Sequence, residues 1–180
     1  MRVRQKDVLE GLATVLTEAR DELRKLVSEY PDDPKYQFAL TQCLNHRLVL
    51  AATRQDAETA RDSFNEAVSN LERLTQQSPN EPSYVFALTD MLTQAARAQS
   101  SEDAKVSLQR SVVMSEQLAT RFPQVSEYQL LQGTAHSKLA ATQAAGGDRV
   151  AAEASLRRSL EILAPLGADR KSTRLNSSHT

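Results

Sequence analysis

Apolar residues recur in steps of three and four over residues 8–27, at Val8, Leu12, Val15, Leu16, Ala19, Leu23, Leu26 and Val27. That spacing lines one face of a helix. The face ends near Tyr30, where Pro31 and Pro34 bracket the turn YPDDP. Pro34 suits the first turn of the next helix, where its missing N–H is not needed. The pattern predicts a second helix over about 34–53, burying Tyr36, Leu40, Leu44, Leu48 and Ala51. Thr53 and Asp56 offer capping oxygens for a third, about 56–77, with Ala60, Phe64, Ala67, Val68, Leu71 and Leu74 on its apolar face. SPNEP repeats the proline punctuation before a fourth helix, about 82–99, and Ser100 and Ser101 cap a fifth, about 102–121. A sixth, about 125–145, ends at Gly146 and Gly147, and Asp148 caps a seventh, about 149–166. No segment alternates as a half-buried strand does. The predicted fold is all-α, with seven antiparallel helices.

The helices come in copies. YVFALTDML (84–92) nearly duplicates YQFALTQCL (36–44), and Leu26/Leu74, Pro31/Pro79 and Pro34/Pro82 recur at the same offset of 48. A third copy begins at FPQVSEYQLL, with Pro123 and Tyr128 matching Pro79 and Tyr84 at an offset of 44. The following helices align as Ala60, Phe64, Ala67, then Ala104, Leu108, Ser111, then Ala152, Leu156, Ser159. Each unit of two helices can bury its apolar face only by stacking on its neighbours, which is the logic of a solenoid. On this register Tyr36 and Tyr84 are expected to be core wedges between successive hairpins. Residues 1–30 correspond to a second helix with no first helix before it, so the chain is expected to begin mid-array and expose apolar surface on that helix.

Small–x3–large–x2–small on a second helix resembles the tetratricopeptide repeat, best at Ala60, Phe64 and Ala67. In the third unit Leu139 and Ala140 stand where that family has Leu-Gly, Gly147 falls near its turn, and Ala152 takes its small second-helix position. The family repeat is about 34 residues, so these units carry roughly 10 to 14 more, mostly in the Tyr-containing turn. Arg47 stands where the family has Leu, and its large first-helix position holds Leu44, Leu88 or His136. Such elongated units are similar to arrays in large bacterial proteins, C-terminal to Ser/Thr kinase domains. The resemblance implies a right-handed superhelix over residues 1–168. Its concave face, lined by first helices, would take an extended peptide or a partner helix and would include Asn45, His46, Thr89, Asp90, Arg97, Ser137 and Lys138.

Composition supports helices over sheets: aromatics are only 4%, there is no Trp, and Gly numbers five in 180 residues. The balance of 22 basic and 23 acidic residues offers no electrostatic reason for nucleic acid or an anionic membrane as partner. No stretch approaches the roughly 18 apolar residues that span a bilayer, and MRVRQKDVLE has no apolar secretion core. A single cysteine, Cys43, rules out an internal disulfide and fits a reducing compartment, so a cytoplasmic location is expected.

Catalytic chemistry finds little footing. Cys43 and His46 form half of a metal site, with no second cysteine to complete it. Position 43 points toward the predicted core and 46 away from it, so the pair does not assemble a nucleophile, and Cys43 is expected to be a small core residue. The Gly146–Gly147 pair lacks the G-K-[ST] of a phosphate loop, and NHRLVL lacks the Asp of a kinase catalytic loop. The expectation is a non-enzymatic interaction module with no cofactor, binding a protein or peptide. The alternatives are a regulatory array of a kinase encoded outside this chain and a structural oligomerising bundle.

The tail DRKSTRLNSSHT (169–180) breaks every pattern above, with one apolar residue in twelve. Its composition is that of a disordered basic tail, in which Arg170, Lys171 and Arg174 could hold an anion weakly. Residues 169–179 are also identical to the translation of eleven consecutive codons of a widely used sequencing-library adapter. Residues 169–180 are therefore expected to be non-native, with the gene continuing past Ala168 into further repeats.

Overall fold

The computed structural model describes residues 2–96, 99 and 101–177, with side chains for 7–96, 99 and 101–167. Among them the chain is all-α: α1 Arg2–Glu29, α2 Pro34–Arg54, α3 Ala57–Gln77, α4 Pro82–Ala95, α5 Ser101–Arg121, α6 Ser126–Ala145 and α7 Arg149–Ser177. It divides into two compact units, residues 1–91 and 92–180.

Helices α1 and α2, α2 and α3, α5 and α6, and α6 and α7 pack on each other across short turns, and the turns recur with the sequence. Before α2, Tyr30 N donates to Leu26 O at 2.8 Å and Asp33 N to Tyr30 O at 3.2 Å. Before α4, Ser78 N donates to Leu74 O at 2.9 Å and Glu81 N to Ser78 O at 3.1 Å. Before α6, Phe122 N donates to Leu118 O at 2.9 Å and Val125 N to Phe122 O at 3.0 Å. These are the same two bonds at the offsets of 48 and 44 read from the sequence. The alternate turns repeat as well. Asp56 N reaches Ala51 O and Asp148 N reaches Gln143 O, both at 2.9 Å. Each aspartate then caps the next helix, with Oδ1 accepting from Thr59 N and from Ala151 N, both at 3.1 Å. The left-handed position in these turns is Gln55 (φ 59°) in one and Gly147 (φ 85°) in the other. Only the glycine adopts it without steric cost.

Side chains tie the turns differently. Gln37 Nε2 donates to Pro31 O at 2.6 Å, and Gln129 Nε2 repeats this bond to Pro123 O at 3.0 Å. Tyr30 packs on Tyr36 with ring centroids 5.4 Å apart, and Phe122 on Tyr128 at 5.8 Å. The middle turn has Ser78 and Val85 at the matching positions and neither device. Its Glu81 carboxylate instead accepts from Ser83 N at 3.2 Å and Ser83 Oγ at 2.7 Å, while Asp33 accepts from Lys35 N at 2.9 Å in the first turn.

The core of the first unit is leucine- and alanine-rich. Leu40, Leu44, Leu48 and Ala51 of α2 are buried, as are Ala60, Ala67, Leu71 and Leu74 of α3. The second unit is laced with bonded hydroxyls. Ser115 Oγ donates to Ser111 O at 2.8 Å, Ser159 Oγ to Gly133 O at 2.7 Å and Ser155 Oγ to Gln143 Oε1 at 2.8 Å, and Thr93 and Ser111 share a hydrogen bond. The last two α6–α7 bonds pair rising α7 numbers with falling α6 numbers, so those helices run antiparallel.

Several sequence expectations shift. Helix α1 begins at Arg2 rather than near residue 8, because RVRQK consists largely of residues that a helix accepts at little cost. Helix α7 runs through Pro165 to Ser177 rather than ending near 166, since residues 168–175 contain neither Gly nor Pro to stop it. The helix thus includes most of the sequence read as a tail. Tyr36 and Tyr84 are half-buried instead of enclosed. Tyr84 does pack across the repeat, its ring 5.2 Å from that of Phe38 in the preceding copy of the same string. With part of the ring in solvent, Tyr84→Ala should cost about 1 to 2 kcal/mol instead of the roughly 3 to 5 of a fully buried aromatic. Urea unfolding measures it, and a loss near 4 kcal/mol would mean the ring is enclosed after all.

The expected exposure of α1 is present, with Val8, Leu12 and Val15 exposed at 67%, 46% and 59%. Their register equivalents of Leu12 and Val15 in α3, Ala60 and Ser63, are buried to 2%.

Candidate partner-binding surface

Of the seven residues expected to line a groove, Asn45 and His46 lie on α2, and Thr89 and Asp90 on α4, all in the first unit. Ser137 and Lys138 lie on α6 in the second, and Arg97 lies outside the described residues. His46 and Ser137 are exposed, and Asn45 and Asp90 are half-buried. Asn45 Oδ1 is enclosed without a hydrogen-bond partner.

Two of the set are engaged inside the fold. Thr89 is fully buried and its hydroxyl donates to Val85 O at 2.7 Å, so it presents no surface to a partner. Lys138 Nζ donates to Thr93 O at 2.9 Å. Thr93 is in the last turn of α4, where carbonyls lack intrahelical partners and a cation complements the helix dipole. Lys138 therefore acts as a capping residue for α4, a role that residue spacing alone does not reveal.

Cys43 is a core residue, 7% exposed, with Sγ 3.5 Å from Leu16 O. Burial pushes its thiol pKa up, the reverse of what a thiolate nucleophile needs. His46 on the same helix is exposed, so the two do not converge. Among the described residues no group of three or more His, Cys, Asp or Glu could hold a metal, and no helix is long and apolar enough to cross a membrane.

His136 is a titratable group that packing perturbs. It is half-buried, with Nδ1 enclosed and unpartnered. Burial lowers its pKa from the usual imidazole value, Arg158 lowers it further, and Glu116 opposes both. The unfolded chain therefore takes up this proton at a higher pH than the folded one. Stability should be full above about pH 6.5 and fall as the pH drops toward the folded pKa. Proton NMR should place the His136 transition below the usual imidazole value of about 6.5. Urea midpoints should decline between about pH 7 and 5, and His136→Gln should flatten that decline.

A feature that sequence spacing did not single out is a cleft of about 150 Å³ in the first unit, lined by Ala13 and Thr17 of α1, Arg47, Leu50 and Arg54 of α2, and Asp56 and Thr59 at the start of α3. A second, more open cleft in the same unit shares Ala13, Thr17 and Arg54 with it and is also lined by Glu10, Thr14 and Glu18.

No protein-family model, no curated protein and no solved structure matches the chain.

Proposed function

We propose that the chain is a protein–protein interaction scaffold built from elongated tetratricopeptide-like units, which receives a partner peptide or helix on the face formed by its first helices. The observation that supports it is the recurrence of one backbone turn at Tyr30, Ser78 and Phe122, at the offsets where the sequence repeats. A turn and packing face copied with the sequence is what a solenoid's repeating unit requires, because each helix pair buries its apolar face only against a neighbour. Of the positions that the resemblance points to, His46 and Ser137 are exposed, each within its own unit.

The test is selection from a displayed peptide library, followed by fluorescence anisotropy with the selected peptide in synthetic form. His46→Glu combined with Ser137→Glu should weaken binding at least about tenfold, the scale of one desolvated contact. Val150→Glu, at a position 83% exposed outside that set, should leave it unchanged. If no peptide is selected, or if both variants bind as the parent does, the proposal fails.

A further inference from the structure

Helix α1 leaves an apolar stripe in solvent. Val8, Leu12 and Val15 are 67%, 46% and 59% exposed, and steps of four and three set them on one side of the helix. Gly11 beside them is bare, with no atom within 4 Å of where a Cβ would stand. Single apolar residues scattered over a surface need no explanation, but a contiguous patch rimmed by charge marks an interaction site. The rim here is acidic. Asp7, Gly11 and Glu18 follow one another along its edge, and both carboxylates are exposed, whereas the next one, Glu22, already accepts from Lys25 Nζ at 2.6 Å.

The repeat shows what kind of element covers such a stripe. At the offset of 48, Leu12, Val15 and Glu18 of α1 correspond to Ala60, Ser63 and Glu66 of α3. Ala60 and Ser63 are both buried to 2%, and α2 is the helix that packs on α3. Helix α2 bears Lys35, Arg47 and Arg54 and no carboxylate, and its Arg47 lies within electrostatic reach of Glu66. A helix of this kind laid on α1 in the same way brings a basic residue to Glu18. Leu12 and Val15 offer it more apolar surface than Ala60 and Ser63 offer α2, and Gly11 leaves room for its approach. Helix α2 itself is committed, because it packs on both α1 and α3. A second copy fits poorly: an antiparallel α1 pair with Val8 opposite Val15 brings Asp7 of one chain near Glu18 of the other, and a parallel pair sets like charges side by side.

We propose that this face of α1 docks a basic amphipathic helix of another protein, patterned as α2 is, with its apolar side on Val8, Leu12 and Val15 and a basic residue at Glu18. The face lies within the first unit and includes neither His46 nor Ser137, so this proposal and the one above can fail separately.

The probe is a labelled synthetic peptide of residues 34–54 carrying Cys43→Ala, titrated with the full chain and followed by fluorescence anisotropy. It should bind saturably. A scrambled peptide of the same composition should bind at least about tenfold more weakly, because scrambling removes the continuous apolar side. Leu12→Glu in the chain should also cost at least about tenfold, the scale of one apolar anchor. Glu18→Lys should weaken binding about threefold or more and should flatten its decline with added salt, since the attraction that salt screens is gone. Val113→Glu, in the second unit at a position 54% exposed, should bind as the parent does. All three positions are exposed, and circular dichroism should show the parent's helix content in each. Equal binding of the scrambled peptide, parent-like affinity in Leu12→Glu or Glu18→Lys, or a loss in Val113→Glu would overturn the proposal. So would a concentration-dependent dimer that Leu12→Glu dissociates in sedimentation, because a second copy would then be the occupant.

Discussion

Leu71→Ala should remove about 3 to 5 kcal/mol of stability, because the position is completely enclosed in the first unit and its neighbours cannot all collapse into the gap. The loss is large against the roughly 5 to 15 kcal/mol that typically holds a domain together. Urea unfolding followed by circular dichroism measures it. Leu160→Ala, at a position 60% exposed, provides the comparison and should change stability by less than about 0.5 kcal/mol. A loss under about 1 kcal/mol at Leu71, well below the range for buried leucines, would mean that the site refills and the α2–α3 core is not packed as described.

Gly133→Val should be nearly as damaging for the opposite reason. A Cβ at Gly133 would lie 2.5 Å from both Cγ and Cδ2 of Leu163 and 3.2 Å from Cδ1, inside van der Waals contact. The Gly133 carbonyl also accepts the buried Ser159 hydroxyl, so moving α6 away from α7 stretches that bond. A gain of up to about 1 kcal/mol in helix propensity on replacing glycine offsets only part of the clash. The expected net loss is about 3 kcal/mol, at the upper end for overpacking. Leu163→Ala in the same chain should recover at least about 1 kcal/mol beyond additivity, because contacting residues couple. Strict additivity in that double-mutant cycle would locate the damage elsewhere.

The helices and their repeat were legible because period and punctuation are local signals. Leu40, Leu44, Leu71 and Leu74 could be placed in the core from spacing alone, and the prolines fixed the turns to within a residue or two. What escaped was set by distance. The close approach of α6 to α7 at Gly133 depends on Leu163, thirty residues away in the chain, and glycine in a helix looks like a defect until its neighbour is known. Lys138 read as a groove residue because its bond to Thr93 O joins two helices that no short pattern connects. Thr89 misled for a related reason. A polar side chain whose hydroxyl donates to the carbonyl four residues back can be buried with that hydrogen bond made. Arg47 reads in the sequence only as a departure from a repeat pattern, and its place in a cleft with Arg54 and Asp56 depends on α1, α2 and the start of α3 coming together.

The three repeat turns have one backbone but different sets of side-chain ties, and this bears on how the copies tolerate genetic change. The first turn has both a carboxylate cap at Asp33 and the Gln37 amide on Pro31. The second keeps the carboxylate, at Glu81, without the amide, and the third keeps the amide, at Gln129, beside the Phe122–Tyr128 ring contact, with Val125 providing no cap. The same backbone turn thus forms on different combinations of ties, and the first copy combines cap, amide and the Tyr30–Tyr36 ring contact. Loss of Asp33 or Gln37 is buffered there by the ties that remain. A duplicated unit can then drift as long as one tie survives, which accounts for a motif recognisable by Pro31, Pro79 and Pro123 while its polar residues have diverged.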